Sequence, residues 1–348
     1  MQKEVCASGS ADLPSGITVV GSSDEAPYAL ASLEARLDAT LAELLAAGAP
    51  GALALAVGPW GRSYSAAGLD SSGHLLQATA RFEVGSITKT FVAALTLVLV
   101  EDGELALDDE AGAHLPARFE PIGSVTVRSL LNHTSGFPDF FEDAAFAARW
   151  QENPSRAWDP NELIEVSLAL ARHEAGVFSY SNSNYVLIGL MIESLAGCTV
   201  DELLRRRILE PRGLSATRLP AAATAAGGLV STSDDLAHFF AALLAGEIVG
   251  ESLLREMLTT VPSDWAESQE YGLGIERVES MMGFGVSPCG AAWGHVGLGR
   301  DTTVAFTTPD ASRQVVLMAN AILTSDAAWA TLSRATWAVL CPDAPSRL

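Results

Sequence analysis

Ser86 and Lys89 stand three residues apart in Phe82-Glu83-Val84-Gly85-Ser86-Ile87-Thr88-Lys89-Thr90, and the apolar run 91–100 follows at once without Gly or Pro. On a helix, residues three apart share a face, so this spacing sets an amine beside a hydroxyl. A serine needs a base to become a nucleophile. A lysine amine of lowered pKa can serve, whereas a guanidinium keeps its proton at every working pH. Of the 21 basic residues only Lys3 and Lys89 are lysines, so arginine does the general work of surface charge. A serine N-cap with a chance lysine one turn on would look the same, and the pair therefore needs partners elsewhere in the chain.

Two more stretches offer them. Phe178-Ser179-Tyr180-Ser181-Asn182-Ser183-Asn184-Tyr185 precedes the apolar stretch 186–192, so Tyr180 and Asn182 are expected on an extended loop that opens a helix. At positions i and i+2 a phenol and an amide would then project to the same side. A phenol near an ammonium is expected to lose its proton more easily and to relay protons for a serine. The plain alternative is a polar N-cap segment, and Asn184 is read that way. The third stretch, Trp293-Gly294-His295-Val296-Gly297-Leu298-Gly299, ends an expected strand. Its glycines would admit a ligand close to the backbone, where an N–H can meet a developing oxyanion, although a lone His among three Gly is more often a turn.

These side chains need elements to hold them. Gly85 ends one run and a buried helix begins at Ser86, so the positive end of the helix dipole favours an anion there. Before it, 29–47 has leucines at helical spacing, and 51–57 with 62–67 flank Gly58-Pro59-Trp60-Gly61 as a hairpin. After it, helical segments are expected at 126–132, 160–171, 184–196, 200–209, 234–245 and 251–259. Strands are expected at 272–278, 292–295, 302–308 and 314–319, covered by a last helix at 327–340. The sheet would thus be made from both chain ends. The expected division is a discontinuous sheet domain, 1–110 with 225–348, and a mainly helical domain, 111–224.

Composition narrows the class. The 348 residues are 49% hydrophobic and 18% charged, as in a globular chain with a substantial core, and no apolar run is long enough to span a bilayer. A net charge of −21 repels nucleic acid and anionic membranes, so no nucleic-acid partner is expected. Residues 1–28 lack the pattern of a signal peptide, which predicts a cytoplasmic protein if the chain is full length and otherwise a secreted mature form. Cys6, Cys198, Cys289 and Cys341 do not make a disulfide scaffold in a chain this long, though the two late ones can pair. Neither they nor the six histidines show metal-ligand spacing, so no metal and no other cofactor is predicted.

Taken together, the three stretches resemble the serine penicillin-recognising enzymes: class C β-lactamases, D-alanyl-D-alanine carboxypeptidases and their esterase and acyltransferase relatives. Ser86-Ile87-Thr88-Lys89 matches the Ser-x-x-Lys element, Tyr180-Ser181-Asn182 the Tyr-x-Asn element, and His295-Val296-Gly297 the Lys/His-Thr-Gly element, in the family's order. Supporting stretches, 130–136 and 227–236, are similar too, and the resemblance runs from about Gly51 to the C-terminus. It implies an α+β fold of the β-lactamase/transpeptidase type, an antiparallel sheet flanked by helices with the helical domain inserted. It also implies Ser86 as nucleophile and Lys89 with Tyr180 for base and proton-relay work. Asn182 would orient the substrate's acyl side and Lys89. His295 would stand where the family has a cation or hydrogen-bond donor, and the N–H groups of Ser86 and Leu298, beside Gly297, would form the oxyanion hole.

Cys289 and Cys341 fall where some secreted carboxypeptidases of the family have a disulfide. His133 and the stretch 227–235 are expected to be structural, a satisfied core histidine and a helix N-cap. One departure matters. The family's third motif commonly carries hydroxyls that hold a substrate carboxylate, and here those positions are Val296 and Leu298. A carboxylate left unpaired against them would bear a desolvation cost of about 1–3 kcal/mol or more. Unless Arg277 or Arg300 supplies a cation, the substrate is expected to present none. The expected activity is acyl-enzyme hydrolysis of a small-molecule or peptide-like ester or amide. The alternatives are acyl transfer or peptide cyclisation, D-alanyl-D-alanine carboxypeptidase or β-lactamase action, and a non-catalytic penicillin-type sensor.

Overall fold

The computed structural model describes residues 26–153, 156–266 and 268–342. In chain order, helix α1 (Ala26–Ala46) leads into strands β1 (Gly51–Gly58) and β2 (Gly61–Gly68), then β3 (Phe82–Glu83) and α2 (Ile87–Glu101). Short helices follow: α3 (Val127–Leu131), α4 (Ala144–Glu152), α5 (Pro160–Leu168), α6 (Asn182–Ala196) and α7 (Val200–Leu204). After β4 (Val230–Ser231) come α8 (Ser233–Leu244), α9 (Glu251–Met257) and strands β5 (Val261–Pro262), β6 (Gln269–Tyr271) and β7 (Glu276–Val278). The chain ends in β8 (Ser280–Met281), β9 (Phe284–Val286), β10 (Ala292–Leu298), β11 (Thr302–Thr307), β12 (Gln314–Ala319) and α10 (Asp326–Leu340).

Eight strands form one sheet in the order β2-β1-β12-β11-β10-β7-β6-β5, and every pairing in it is antiparallel. Its strands come from 51–68 and 261–319, so early and late parts of the chain meet where Ala52 faces Ala319. This is the α+β, β-lactamase/transpeptidase-like fold. The central strands β1, β11 and β12 are buried at nearly every position because both faces are covered. Period-two alternation sends Leu53, Leu55, Ala305, Val316 and Met318 towards α2, and Ala52, Ala54, Ala56, Val304 and Leu317 towards α1 and α10. Helix α2 is buried from Ile87 to Leu99, as a helix apolar all round must be.

The structure departs from expectation at several places. The segment 272–278 is not one strand: it is the turn and second arm of a hairpin in which Gln269 pairs with Val278 and Tyr271 with Glu276. At Gly274, φ is +77° and an added Cβ would lie 2.4 Å from Ala93 Cβ, so the turn presses on α2. The strand expected at 292–295 continues to Leu298. The helix expected over 200–209 is a five-residue α-helix followed by a π-turn, Arg205–Leu209. Helix α4 and the β8–β9 hairpin were not foreseen.

A disulfide joins Cys289, in the loop before β10, to Cys341, just after α10. Among the described residues no helix is long and apolar enough to cross a membrane, and no group of His, Cys, Asp and Glu gathers that could hold a metal ion.

Candidate active site

Gly85 makes the site possible. Its φ is +51°, and a Cβ there would lie 2.6 Å from the backbone nitrogen of Leu298, so only glycine lets β10 come this close to the start of α2. Gly297 does the same from the other side, where a Cβ would lie 1.9 Å from Val84 O and 3.3 Å from Ser86 N. Behind the turn, Thr88 Oγ1 donates to Gly85 O (2.6 Å) and accepts from Leu229 N (3.0 Å), while Val84 N donates to Leu229 O (2.8 Å). Ser86 is the N-cap residue of α2, but its side chain makes no capping bond, which leaves the hydroxyl for other partners.

Those partners are the residues singled out in the sequence. Lys89 Nζ lies 3.0 Å from Ser86 Oγ, and the Tyr180 hydroxyl donates to the same Oγ at 2.8 Å. Lys89 is fully buried and also donates to Asn182 Oδ1 (2.8 Å) and Ala226 O (2.6 Å). Two carbonyl acceptors use the two protons of a neutral amine, whose lone pair then faces Ser86 Oγ. Burial lowers the Lys89 pKa to about 7, against the opposing pull of the Asp139 carboxylate. Ser86, Tyr180 and Asn182 each keep part of their surface open to solvent. The floor of the site is accessible while its base is not.

Tyr180 corrects an expectation. Its pKa is pushed up by desolvation, with Glu276 and Asp139 adding to the rise, and the bond to Ser86 only partly offsets this. The phenol thus keeps its proton and acts as a donor; the group poised near neutrality is Lys89. Asn182 is also placed differently, at the first turn of α6 and not on an extended loop. Its Nδ2 and its backbone N–H both donate to Asp139 Oδ2, each at 2.7 Å. Asn184 does not cap: it is buried inside α6 and bonds Ser135 Oγ (2.8 Å) and His133 Nδ1 (3.1 Å).

His295 does not reach the open floor. It is 1% exposed; its Nε2 meets the Tyr271 hydroxyl at 2.9 Å, and its Nδ1 meets Val296 O at 2.5 Å and Glu276 Oε1 at 3.0 Å. Burial lowers its pKa to about 3 and raises that of Glu276 to about 8, so near neutral pH the ring is uncharged. A neutral ring with Nδ1–H to Val296 O accepts from Tyr271 at Nε2. His295 therefore stands behind the site as a neutral hydrogen-bonded group, not in it as a cation.

His133 is only half satisfied. Its Nδ1 accepts from Ser181 N (3.2 Å) and Asn184 Nδ2, which puts the proton on Nε2, and Nε2 has no hydrogen-bond partner among the described residues. The stretch 227–235 does hold a helix cap, with Thr232 Oγ1 accepting from Asp235 N at 3.2 Å. The segment has a second task, since Ala226 and Leu229 hold Lys89 and the Ser86 turn.

On the β10 side, Leu298 is 43% exposed, while Val296 is buried among residues facing α1 and α10, on the far face of the sheet. Arg277 is committed to Glu270 (3.2 Å) and Glu279 (2.8 Å), and Arg300 is an exposed side chain 3.6 Å from Glu83. Sequence reasoning missed two neighbours. Asp139 follows the 130–136 stretch and begins an Asp-x-x-Glu capping box with Glu142, a local signal that was there to be read. Trp265, whose ring is centred 5.2 Å from that of Tyr180 and 5.4 Å from that of Phe178, sits in a loop with no periodic or motif signal.

Comparisons with known proteins agree with this fold. The structure of a D-stereospecific amidohydrolase from Streptomyces sp. is 31% identical, with a TM-score of 0.76 over 90% of this chain and 99% of that one. A D-amino acid amidase from Ochrobactrum anthropi SV3 shares the fold, with 22% identity and a TM-score of 0.73 over 88% of this chain and 97% of that one. Penicillin-binding protein 4* of Bacillus subtilis is 33% identical over 150 residues, which is 41% of this chain and 32% of that protein. The aligned part thus spans about a third of that curated relative. The family model described as Beta-lactamase matches residues 37–334, and the chain belongs to that family.

Proposed function

We propose that the protein is a serine hydrolase that forms an acyl-enzyme on Ser86 and acts on the amide or ester of an amino acid or short peptide. The observation that carries this is the contact of Ser86 Oγ with Lys89 Nζ at 3.0 Å and the Tyr180 hydroxyl at 2.8 Å, around an amine whose pKa falls to about 7. Lys89 takes the Ser86 proton as the Oγ–carbon bond forms, and the carbonyl electron pair moves to oxygen, held by the N–H groups of Ser86 and Leu298. On collapse the bond to the leaving group breaks, and the leaving atom departs with that proton, relayed by the Tyr180 hydroxyl. Water then attacks the acyl carbon, gives its proton to the same pair, and frees Ser86.

Three features bear on the substrate. Leu298 is exposed and apolar, Arg277 is already paired, and Val296 looks away, so a free carboxylate finds no built partner on this side. Trp265, whose ring packs against that of Tyr180, offers apolar surface next to a partner of Ser86, suited to an apolar side chain. The likeness to a D-stereospecific amidohydrolase over nearly its whole length supports an amide of a D-amino acid. The Cys289–Cys341 disulfide favours a secreted or other oxidising location over the cytoplasm.

The test is ammonia release from D- and L-phenylalanine amide by wild type and Ser86→Ala. The expected result is release from the D-amide that Ser86→Ala abolishes. Equal release by both proteins would overturn the reading. Nitrocefin and peptides ending in D-Ala are expected to be poor substrates, and product analysis with added amine or alcohol acceptors separates hydrolysis from acyl transfer.

A further inference from the structure

We propose that Asp139 is a positioning residue that fixes which way the Asn182 amide faces and supplies the counter-charge that holds the Lys89 ammonium in reach of Ser86. The inference rests on the reading of Lys89 as the base. A carboxamide can sit either way round, and its orientation follows from its neighbours. Here Asp139 Oδ2 accepts from both the backbone N–H and Nδ2 of Asn182, at 2.7 Å each. That leaves Asn182 Oδ1 facing Lys89 Nζ at 2.8 Å. The flipped amide would set an N–H against the amine and an oxygen against a carboxylate.

Asp139 is itself held. Its Oδ1 accepts from Phe141 N (2.9 Å) and its own N–H donates to Glu142 Oε1 (3.0 Å), which closes a capping box. The residue is 7% exposed. Burial raises its pKa above the usual carboxylate range, and the three N–H donors that converge on it, together with Lys89, offset part of that rise. The other titratable groups packed around Lys89 are Tyr180, Tyr185, His133, His295 and, behind them, Glu276. Burial holds each of these in its uncharged form near neutral pH. Asp139 is thus the group that opposes desolvation of the Lys89 charge.

The chain's two lysines make a direct test possible. With [13Cε]lysine labelling, and Lys3→Arg to remove the other resonance, Lys89 can be titrated by NMR without any turnover. Asp139→Asn is expected to lower the Lys89 midpoint by about one pH unit or more, while Asp139→Glu, which keeps the charge, stays closer to wild type. The acid limb of acylation by p-nitrophenyl acetate is expected to move down with it. A Lys89 midpoint unchanged in Asp139→Asn would overturn the proposal, whatever happens to the rate or thermal stability. Should neither variant fold, the wild-type titration decides, because the Lys89 resonance must then show a second, acid inflection as Asp139 protonates, and its absence counts against the proposal. Failure of Ser86 to be acylated would sink the hydrolase reading and leave this measurement standing.

Discussion

At the scale of single residues the account depends on a proton. Because the neutral amine of Lys89 is the competent form and its pKa is lowered to about 7, kcat/KM should rise as pH increases through that value. An ordinary lysine would place that rise more than three units higher, so a pH profile separates the two. Lys89→Arg keeps a charge that cannot accept a proton and is expected to lose on the order of 10³-fold or more in kcat. Tyr180→Phe removes a donor and leaves the ring, with an expected loss of roughly 10²-fold and little change in KM. Ser86, Lys89 and Tyr180 were legible because their chemistry is local in sequence or rare in composition. The rise in the Tyr180 pKa was not, since desolvation depends on what His133, Trp265 and Tyr271 bring around it from other segments.

Elements set the distance between the nucleophile and the β10 edge. Gly297→Ala would drive a Cβ to 1.9 Å from Val84 O and separate β10 from the Ser86 turn. Loss of an oxyanion donor costs about 10²–10³ in kcat, and that is the fall expected for Gly297→Ala in an amidase or esterase assay. Gly112→Ala, whose Cβ would meet nothing nearer than Ile122 Cδ1 at 3.8 Å, is expected to leave the rate unchanged. The hairpin β1–β2 and strand β12 were legible from Gly58-Pro59-Trp60-Gly61 and from apolar runs of strand length. The β6–β7 turn was not, because Gly272-Leu273-Gly274-Ile275 reads as apolar strand until Gly274 is seen packed against α2. Helix α4 escaped for a related reason: it is held by an aromatic cluster in which Phe146 meets Phe140, Trp150 and Trp158, not by a periodic apolar stripe.

For the whole molecule, the sheet made from 51–68 and 261–319 is what brings Gly85 and Gly297 together across more than half the chain. Its assembly from both ends could be read from where the strand-like runs fall, but not the order in which they pair. The Cys289–Cys341 bond ties the β10 approach to the end of α10 across 52 residues, and loop-closure entropy puts its contribution at about 4 kcal/mol. The double variant C289A/C341A is expected to unfold at a clearly lower temperature, with about 2–4 kcal/mol lost in denaturant titration and the Ser86–Lys89 site still formed. The central claim is that Ser86 becomes a nucleophile. Intact-mass analysis after a fluorophosphonate probe tests it most directly: wild type should gain a single adduct that maps to Ser86, and Ser86→Ala should gain none. A wild-type protein that stays unlabelled at neutral and mildly alkaline pH, or one labelled at another residue, would contradict it.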